Sequence, residues 1–322
     1  MDLQDTIEQS VMQLKNAERT LKAVAKVCQE IVATLYDTYF PGAETLRPGP
    51  KSLCPDSDIL TISWLLELIG KDSELAGYKL IKAELNDLFP YLPERSRFNR
   101  RRRNLWYASE KLRQVLIQFL PDDEIFIVDS FPIPVCDFKR VPASTSPLKC
   151  ADGNGTLAAY GKCVTKGLDT FFGFRGSIIT TSYGLPVDFA IAPADTDDRE
   201  VLPLFCERGT YPIIIGDKGY VCEALETELL ETYNVCLLPT RRNNQKKQYP
   251  KPFRKLHQQI RRRIETTISQ LTNQFNISRI RAKTHWGFLT RLNNKFAGFT
   301  LGVFLNKCLD RKLMALKDVV HA

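Results

Sequence analysis

The stretch Glu124-Ile-Phe-Ile-Val-Asp-Ser-Phe-Pro-Ile-Pro134 decides the fold of this chain. Branched and aromatic residues at 125–128 predict a buried strand. The strand is expected to end at Asp129, because Pro132 and Pro134 exclude an interior strand beyond it. In an open α/β sheet, the carboxyl ends of the strands form the binding crevice. The stretch therefore predicts an α/β fold with a carboxylate at its functional edge.

A second apolar run also ends on an aspartate, in Pro212-Ile-Ile-Ile-Gly-Asp217-Lys-Gly-Tyr220. If the two strands are parallel neighbours, their ends lie about 4.8 Å apart. Two aspartates so placed can share hard cations. Either aspartate alone is more typical of a turn that accepts backbone N–H groups. The repetition of the pattern, together with a third acid later in the chain, favours a metal site.

The charge distribution points to a polyanionic partner. The 322 residues have a net charge of +8, but residues 240–322 hold 19 Lys and Arg against three acids. The other 239 residues hold 26 Lys and Arg against 34 acids. A basic block beside an acidic half predicts a partner such as nucleic acid. A solvated basic tail is the alternative.

Several classes of protein are not indicated by the sequence. No apolar run has the length of a membrane span, and the acidic start is unlike a signal peptide, so we expect a cytoplasmic protein. Nine scattered cysteines without a C-x-x-C pair, and only three histidines, argue against a zinc site. No G-x-x-x-x-G-K-[ST] loop is present, so ATP is not implied.

The N-terminal third predicts an all-helical domain, because its apolar residues recur at helical spacing. Its last predicted helix follows the cluster Arg100–Arg103. Contact with DNA phosphates is the functional interpretation of this cluster. A solvated helix face explains the arginines equally well.

From residue 121 the pattern predicts a mixed α/β layer. The predicted strands are 124–129, 171–181, 185–192, 212–217 and 235–239. Helices are predicted after a cap at Asp197 or Asp198 and over 222–232, with a polar loop at 142–168 and a basic linker at 241–255.

A long helix is predicted from residue 256, with apolar residues on a single buried stripe. Glu265 lies beside this stripe and is the only acid between residues 232 and 309. An ordinary i,i+4 ion pair with Arg261 is one interpretation. The absence of other acids from the basic block favours a specific use for this carboxylate.

Four segments together resemble the DDE transposases of bacterial insertion sequences, in the branch that opens its catalytic domain with D-S-x-P-x-P-V-C. They are Asp129-Ser-Phe-Pro-Ile-Pro-Val-Cys136, Ala-Pro-Ala-Asp-Thr-Asp-Asp198-Arg199, Gly216-Asp217-Lys-Gly-Tyr220 and Arg-Arg-Arg-Ile-Glu265-Thr. The D-K-G-Y segment and the D-S-x-P-x-P-V-C segment are specific in combination.

The resemblance implies an RNase H-like mixed sheet flanked by helices, with acids on the first strand, the fourth strand and a late helix. Asp129, Asp217 and Glu265 occupy these places as catalytic residues and ligands of two Mg²⁺ ions, for which Mn²⁺ can substitute. Many relatives carry Tyr-x₂-Arg-x₃-Glu-x₆-Lys on the last helix. Here Gln258 replaces the tyrosine and Thr272 replaces the lysine.

The resemblance also implies the partners. We expect an insertion-sequence transposase that binds inverted repeats and target as double-stranded DNA, as a homodimer, and performs metal-dependent strand cleavage and strand transfer without ATP or a membrane. We expect it at the nucleoid. The expected DNA contacts are Arg100, Arg101, Arg102, Arg103, Lys218, Arg261 and Arg262.

The expected domains are a helical DNA-binding or oligomerisation domain at 1–120, a catalytic domain at 121–310 and a tail at 311–322. Two alternatives to the transposase remain. One is an RNase H-like nuclease without strand transfer, and the other is a non-catalytic DNA-binding protein derived from a transposase.

Overall fold

The computed structural model describes residues 3–15, 18–44, 46, 49–136, 158–162, 170–242, 245, 248–282 and 284–320. The helices of this part are α1 (Leu3–Lys15), α2 (Leu21–Tyr39), α3 (Asp56–Leu68), α4 (Glu74–Glu84), α5 (Arg95–Asn104), α6 (Trp106–Gln118), α7 (Asp198–Arg208), α8 (Glu223–Tyr233), α9 (Lys251–Asn273) and α10 (His285–Cys308). Its strands are β1 (Ile125–Cys136), β2 (Ala159–Lys162), β3 (Thr170–Thr181), β4 (Pro186–Pro193), β5 (Ile213–Gly216) and β6 (Cys236–Pro239).

The chain divides into two compact units. The helical unit consists of Met1–Pro121, Gln274–Asn276 and Trp286–Ala322. The sheet unit consists of Asp122–Asn273 and Ile277–His285.

Helix α10 is part of the core of the helical unit. Most of its residues are buried, and from Phe296 to Leu305 it is apolar on nearly every face, so this part requires neighbours all round. Gly298 permits close packing on α3, since a Cβ atom there would lie 2.8 Å from the carbonyl oxygen of Trp64. The compact units therefore divide the chain differently from the predicted boundary at 310, which grouped α10 with the catalytic domain.

The sheet unit confirms the predicted RNase H-like α/β fold. Its central strand β1 is antiparallel to β3 and parallel to β5. Strand β3 also pairs with β2 and β4, both antiparallel, and β5 pairs with β6 in parallel. The result is a mixed sheet whose parallel half contains the two strands predicted to carry the aspartates.

Strand β1 is longer than predicted, and the expectation that it ends at Asp129 was wrong. The backbone N–H of Ile213 on β5 donates to the carbonyl oxygen of Glu124, so even-numbered residues of β1 direct their backbone groups toward β5. Pairing with β5 reaches only Ile127. The nitrogens of Pro132 and Pro134 therefore face a side on which β1 has no described partner. Proline is tolerated there as it is on an edge strand.

The two faces of the sheet are covered by different helices. Phe126 and Val128 share one core cluster with residues of α7 and α8, so the alternate residues of β1 face the opposite side. Helix α9 contacts β1 and β5. It buries Ile264 and Leu271 from its apolar stripe, as predicted, whereas Leu256, at the predicted start of the stripe, is 53% exposed.

Smaller differences concern the connections. Strand β2 lies within the predicted loop 142–168; residues 142–157 and 163–168 of that loop lie outside the described residues. Helix α9 begins at Lys251, five residues before the predicted start, and shortens the expected linker. In the described part of the chain, no helix is long and apolar enough to span a bilayer.

Candidate active site

The parallel pair β1 and β5 brings two predicted site residues to the same level. Their register aligns Ile125 with Ile213 and continues to Ile127 with Ile215. Extending this alignment by two residues places Asp129 opposite Asp217, where the parallel pairing has just ended. The charge of Asp217 also acts on the carboxyl group of Asp129. The two carboxylates are therefore electrostatic neighbours.

Asp129 is a partly buried carboxylate to which no cation is paired in the described part of the chain. Its Oδ1 accepts a hydrogen bond from the backbone N–H of Ser130 at 2.8 Å, and no described side chain forms an ion pair with it. The pKa of Asp129 is raised to about 7, chiefly by burial and also by the charges of Asp217 and Asp198. The Ser130 hydrogen bond and the charge of Arg261 act in the opposite direction. Such an environment favours a bound cation, which would neutralise the charge.

Asp217 is held by a tight turn. Its Oδ1 accepts a hydrogen bond from the backbone N–H of Gly219 at 2.7 Å and caps a short 3₁₀ helix, Lys218–Tyr220. Gly216 is needed beside it, since a Cβ atom there would lie 3.0 Å from the ring of Tyr220. Asp217 thus performs the turn-forming role that the sequence allowed. This role fixes its carboxylate in place beside Asp129.

Tyr220 ends the D-K-G-Y segment, three residues after Asp217, and the sequence assigned it no separate role. It is fully buried, and its hydroxyl has no hydrogen-bond partner among the described residues. Burial raises the pKa of Tyr220 well above its usual value, and the charges of Asp198, Asp129 and Asp217 add to this. A polar atom without a partner in this position marks a feature that packing alone does not explain.

The helix α7 contributes a further acid. Asp197 is its N-cap and accepts from the backbone N–H of Arg199 at 2.9 Å, whereas Asp198 pairs with Arg175 of β3 at 3.2 Å. The sequence suggested a cap at either aspartate and favoured that role over a ligand role. Because the charge of Asp198 contributes to the raised pKa of Asp129, this second aspartate belongs to the surroundings of the site.

Glu265 forms the ordinary helix ion pair that the sequence left open. Its Oε1 accepts from Arg261 at 2.5 Å, and its side chain is 53% exposed. In the described residues, no group of three or more His, Cys, Asp or Glu is arranged to hold a metal ion. The structure thus brings Asp129 and Asp217 together but not Glu265 with them, and the third ligand stays a prediction.

Two members of the cluster Arg100–Arg103 form ion pairs within the helical unit. Arg101 pairs with the fully buried carboxylate of Asp56 at 2.6 Å. Arg102 is itself buried and pairs with Glu74 at 2.7 Å. Both side chains stabilise the packing of α5, which the sequence pattern did not predict. Their role in DNA contact stays a prediction.

The remaining predicted DNA contacts lie nearer the surface. Arg100, Lys218 and Arg262 are exposed, and Arg103 is partly exposed. Arg261 is engaged by Glu265. The exposed side chains are available to a ligand without breaking an ion pair among the described residues.

A mixed sheet of this order, with two carboxylates beside each other at the end of its central parallel pair, defines an RNase H-like catalytic domain. The chain belongs to the family of transposases with a DDE domain, since the family model described as "Transposase DDE domain" matches residues 121–285. Members of this family are enzymes of DNA phosphoryl transfer. Comparison with the curated proteins gives no match, and comparison with the solved structures gives none either.

Proposed function

We propose that this transposase binds the inverted repeats of an insertion sequence as double-stranded DNA, cleaves a strand at each end and joins the ends to target DNA. The observation that carries the proposal is the pair Asp129 and Asp217, which lies just beyond the point where the parallel pairing of β1 and β5 ends, within the matched domain. A homodimer on DNA and a cytoplasmic location belong to the same proposal.

The donor set fits Mg²⁺. Carboxylate oxygens are the hard ligands that Mg²⁺ prefers. Burial is the main cause of the raised pKa of Asp129, about 7, and a bound cation would offset this cost of holding a charge. Asp129 and Asp217 would hold the metal ions, with Glu265 as the third ligand and with Mn²⁺ able to substitute. Bound ions would supply activation of the attacking hydroxyl and stabilisation of the charge on the phosphate.

The protein supplies orientation. The Ser130 amide fixes Asp129 on β1, and the Gly219 amide fixes Asp217 after β5, so both carboxylates are set before DNA binds. Preset geometry lowers the barrier because less freedom is lost on the way to the transition state. Lys218 and Arg262 are exposed and can neutralise neighbouring phosphates. Neither cleavage nor joining requires ATP or a covalent enzyme intermediate.

The position of helix α9 would allow Glu265 to reach the two aspartates. Arg261, one turn earlier, already acts on the charge of Asp129, and the helix contacts both β1 and β5. Glu265 must release Arg261 in order to bind metal. DNA phosphates, which compete for the guanidinium group, would favour this release.

A joining assay tests the proposal. Labelled linear DNA carrying the sequences that flank the gene is incubated with a plasmid target, Mg²⁺ and the purified protein. We expect labelled ends to become joined to the plasmid. Asp217→Asn should abolish cleavage and joining yet retain DNA binding, whereas Asp122→Asn, which removes an exposed acid from the sheet unit, should remain active. Joining by Asp217→Asn would contradict the assignment, and cleavage by the wild type without joining would favour the nuclease.

The same assay tests the third ligand. Glu265→Gln should abolish cleavage and change the free energy of unfolding by no more than about 0.5 kcal/mol, the typical strength of an exposed i,i+4 pair. Glu228→Gln, which neutralises an exposed acid on α8, is the matched control. Full cleavage by Glu265→Gln would leave this residue with its ion pair alone.

A further inference from the structure

A pocket of about 540 Å³ lies in the sheet unit beside the two aspartates. Its principal lining residues are Tyr160, Lys162, Arg175, Asp198, Gly219 and Arg242. Neither Asp129 nor Asp217 lines it. It adjoins them through the Gly219 amide, which holds Asp217, and through Asp198, whose charge reaches Asp129. Pockets of about 300–1,000 Å³ are typical of sites for small molecules.

Most of the acidic side chains that line the pocket are paired with arginines of the same lining. Asp197 is engaged by Arg199 at 2.5 Å, and Asp198 is engaged by Arg175 at 3.2 Å. Asp195 is the remaining carboxylate of the lining and is exposed. Because two of the three acids already have guanidinium partners, a cation is a poor occupant.

Two cationic side chains of the pocket have no acidic partner among the described residues. Lys162 and Arg242 are exposed and form no ion pair with any side chain in the described part of the chain. They come from β2 and from the segment after β6, so they are brought together by the fold rather than by adjacent positions in the sequence. These two cations outnumber Asp195, the one lining acid left without a guanidinium partner, and so favour a ligand that carries phosphate.

The same pocket has an exposed aromatic ring. Tyr160 is 50% exposed, and its ring contacts that of Phe172 with centroids 4.9 Å apart and planes inclined at 61°. Phe172 is buried in the sheet, so it fixes the position of the tyrosine. An anchored, half-exposed ring beside cations is the arrangement by which proteins stack unpaired bases.

We propose that this pocket binds one unpaired nucleotide of the DNA strand next to the reacting phosphate. The base stacks on Tyr160, and its phosphate contacts Lys162 and Arg242. The inference rests on the proposed function, because it takes a DNA strand as the ligand of the neighbouring aspartates.

Fluorescence anisotropy in EDTA tests the pocket without cleavage. The probes are a labelled oligothymidylate of about ten nucleotides, within the usual site size for single strands, and the same strand with abasic residues. The wild type should prefer the strand with bases. Tyr160→Ala should remove this preference and weaken binding of that strand about tenfold, the typical effect of removing one stacked base. Tyr160→Phe keeps the ring and should behave as the wild type.

The cations are tested on the same probes. Lys162→Gln and Arg242→Gln should weaken binding of both strands and reduce the log–log salt slope by about 0.7 each, the value for one phosphate of a single strand. Lys317→Gln removes an exposed lysine of the helical unit and serves as the charge-matched control, with no change expected.

Two results would overturn the proposal that the pocket binds a nucleotide. One is an unchanged preference for bases in folded Tyr160→Ala, and the other is an unchanged salt slope in both cation variants. If Tyr160→Ala unfolds by circular dichroism, the two cation variants decide. Failure of the joining assay with base preference intact would overturn the proposed function alone. If the wild type joins the ends but folded Tyr160→Ala keeps its preference for the strand with bases, only the proposal for the pocket is overturned.

Discussion

Two buried ion pairs of the helical unit and one carboxylate of the sheet unit show opposite treatments of charge in an interior. In the helical unit, Lys295 and Glu67 are both buried and lie 2.7 Å apart, and the buried Arg113 lies 2.6 Å from Glu110. In the sheet unit, Asp129 is partly buried, has no described ion pair and is close to the charge of Asp217. Ion pairs in a protein interior have a structural role, because they determine how the elements that carry them pack. A carboxylate left beside another carboxylate indicates a place for a ligand, so pairing distinguishes the two roles better than burial does.

The largest effect should come from breaking the pair in the helical unit. Lys295→Met leaves Glu67 as an uncompensated buried charge, which should lower the free energy of unfolding by about 3–5 kcal/mol. Urea unfolding measures the loss. The double variant Lys295→Met/Glu67→Leu should recover most of it, since replacing a whole buried pair by apolar residues is often nearly neutral. A double variant as unstable as the single one would show that the cost comes from packing and not from charge.

Removing the charge of Asp129 should instead raise the free energy of unfolding. Its pKa in the folded protein is about 7, above the ordinary value of 3.8, so the folded state binds more protons than the unfolded state between these pH values. Stability without metal should therefore fall as pH rises from about 4 to about 7, and stay low above pH 7. Asp129→Asn should be more stable than the wild type at pH 8 by about 1–4 kcal/mol, at about 1.4 kcal/mol per pKa unit.

Urea unfolding in EDTA at pH 5 and at pH 8 measures this difference. Asp122→Asn, at an exposed position, is the control and should show no such dependence. If Asp129→Asn loses stability at pH 8, the aspartate is a structural residue like those of the helical unit.

A moderate effect should separate the arginines of the cluster Arg100–Arg103. Arg100→Gln/Arg103→Gln should keep the fold and reduce the log–log salt slope of duplex binding by about 0.9 for each phosphate that the variant no longer neutralises. Anisotropy with a labelled duplex over a range of KCl concentrations measures the slope. Arg101→Gln should instead lower stability, since Asp56 would lose its partner. An unchanged slope in the double variant would make the exposed pair a solvated helix face.

The smallest effect is expected at Tyr220. Its hydroxyl is buried without a described partner, so Tyr220→Phe should change the free energy of unfolding by less than about 0.5 kcal/mol or raise it. Tyr36→Phe is the matched comparison, because the hydroxyl of Tyr36 donates to Asp56 at 2.9 Å in the interior. That variant should lose about 1–3 kcal/mol. A similar loss at Tyr220 would mean that its hydroxyl has a partner after all.

Much of the sheet unit was predictable because its signals are local. Apolar runs that end on Asp129 and Asp217, with turn residues between the strands, determine strand positions without knowledge of the tertiary structure. The length of β1 was not predictable in this way. Whether Pro132 interrupts a strand depends on which side has a neighbour, and that is a property of the assembled sheet.

The features that were missed depend on contacts distant in sequence. Arg101 and Asp56 are 45 residues apart, and nothing in an arginine run shows which members will meet an acid. Asp198 resembles a cap because Asp197 beside it is one. Its influence on Asp129 appears only when α7 packs on the sheet. The pocket beyond it joins β2 to the segment after β6, which no local pattern connects.

The prolines of β1 have a consequence for what can approach the site. An unpaired strand edge normally offers a row of N–H donors, on which another chain can add a strand. Pro132 and Pro134 remove two of these donors on the side where β5 has stopped, just beyond Asp129. A neighbouring polypeptide therefore gains little by docking there. With these two donors missing, the edge favours a ligand that recognises side chains and not backbone, as a nucleic acid does.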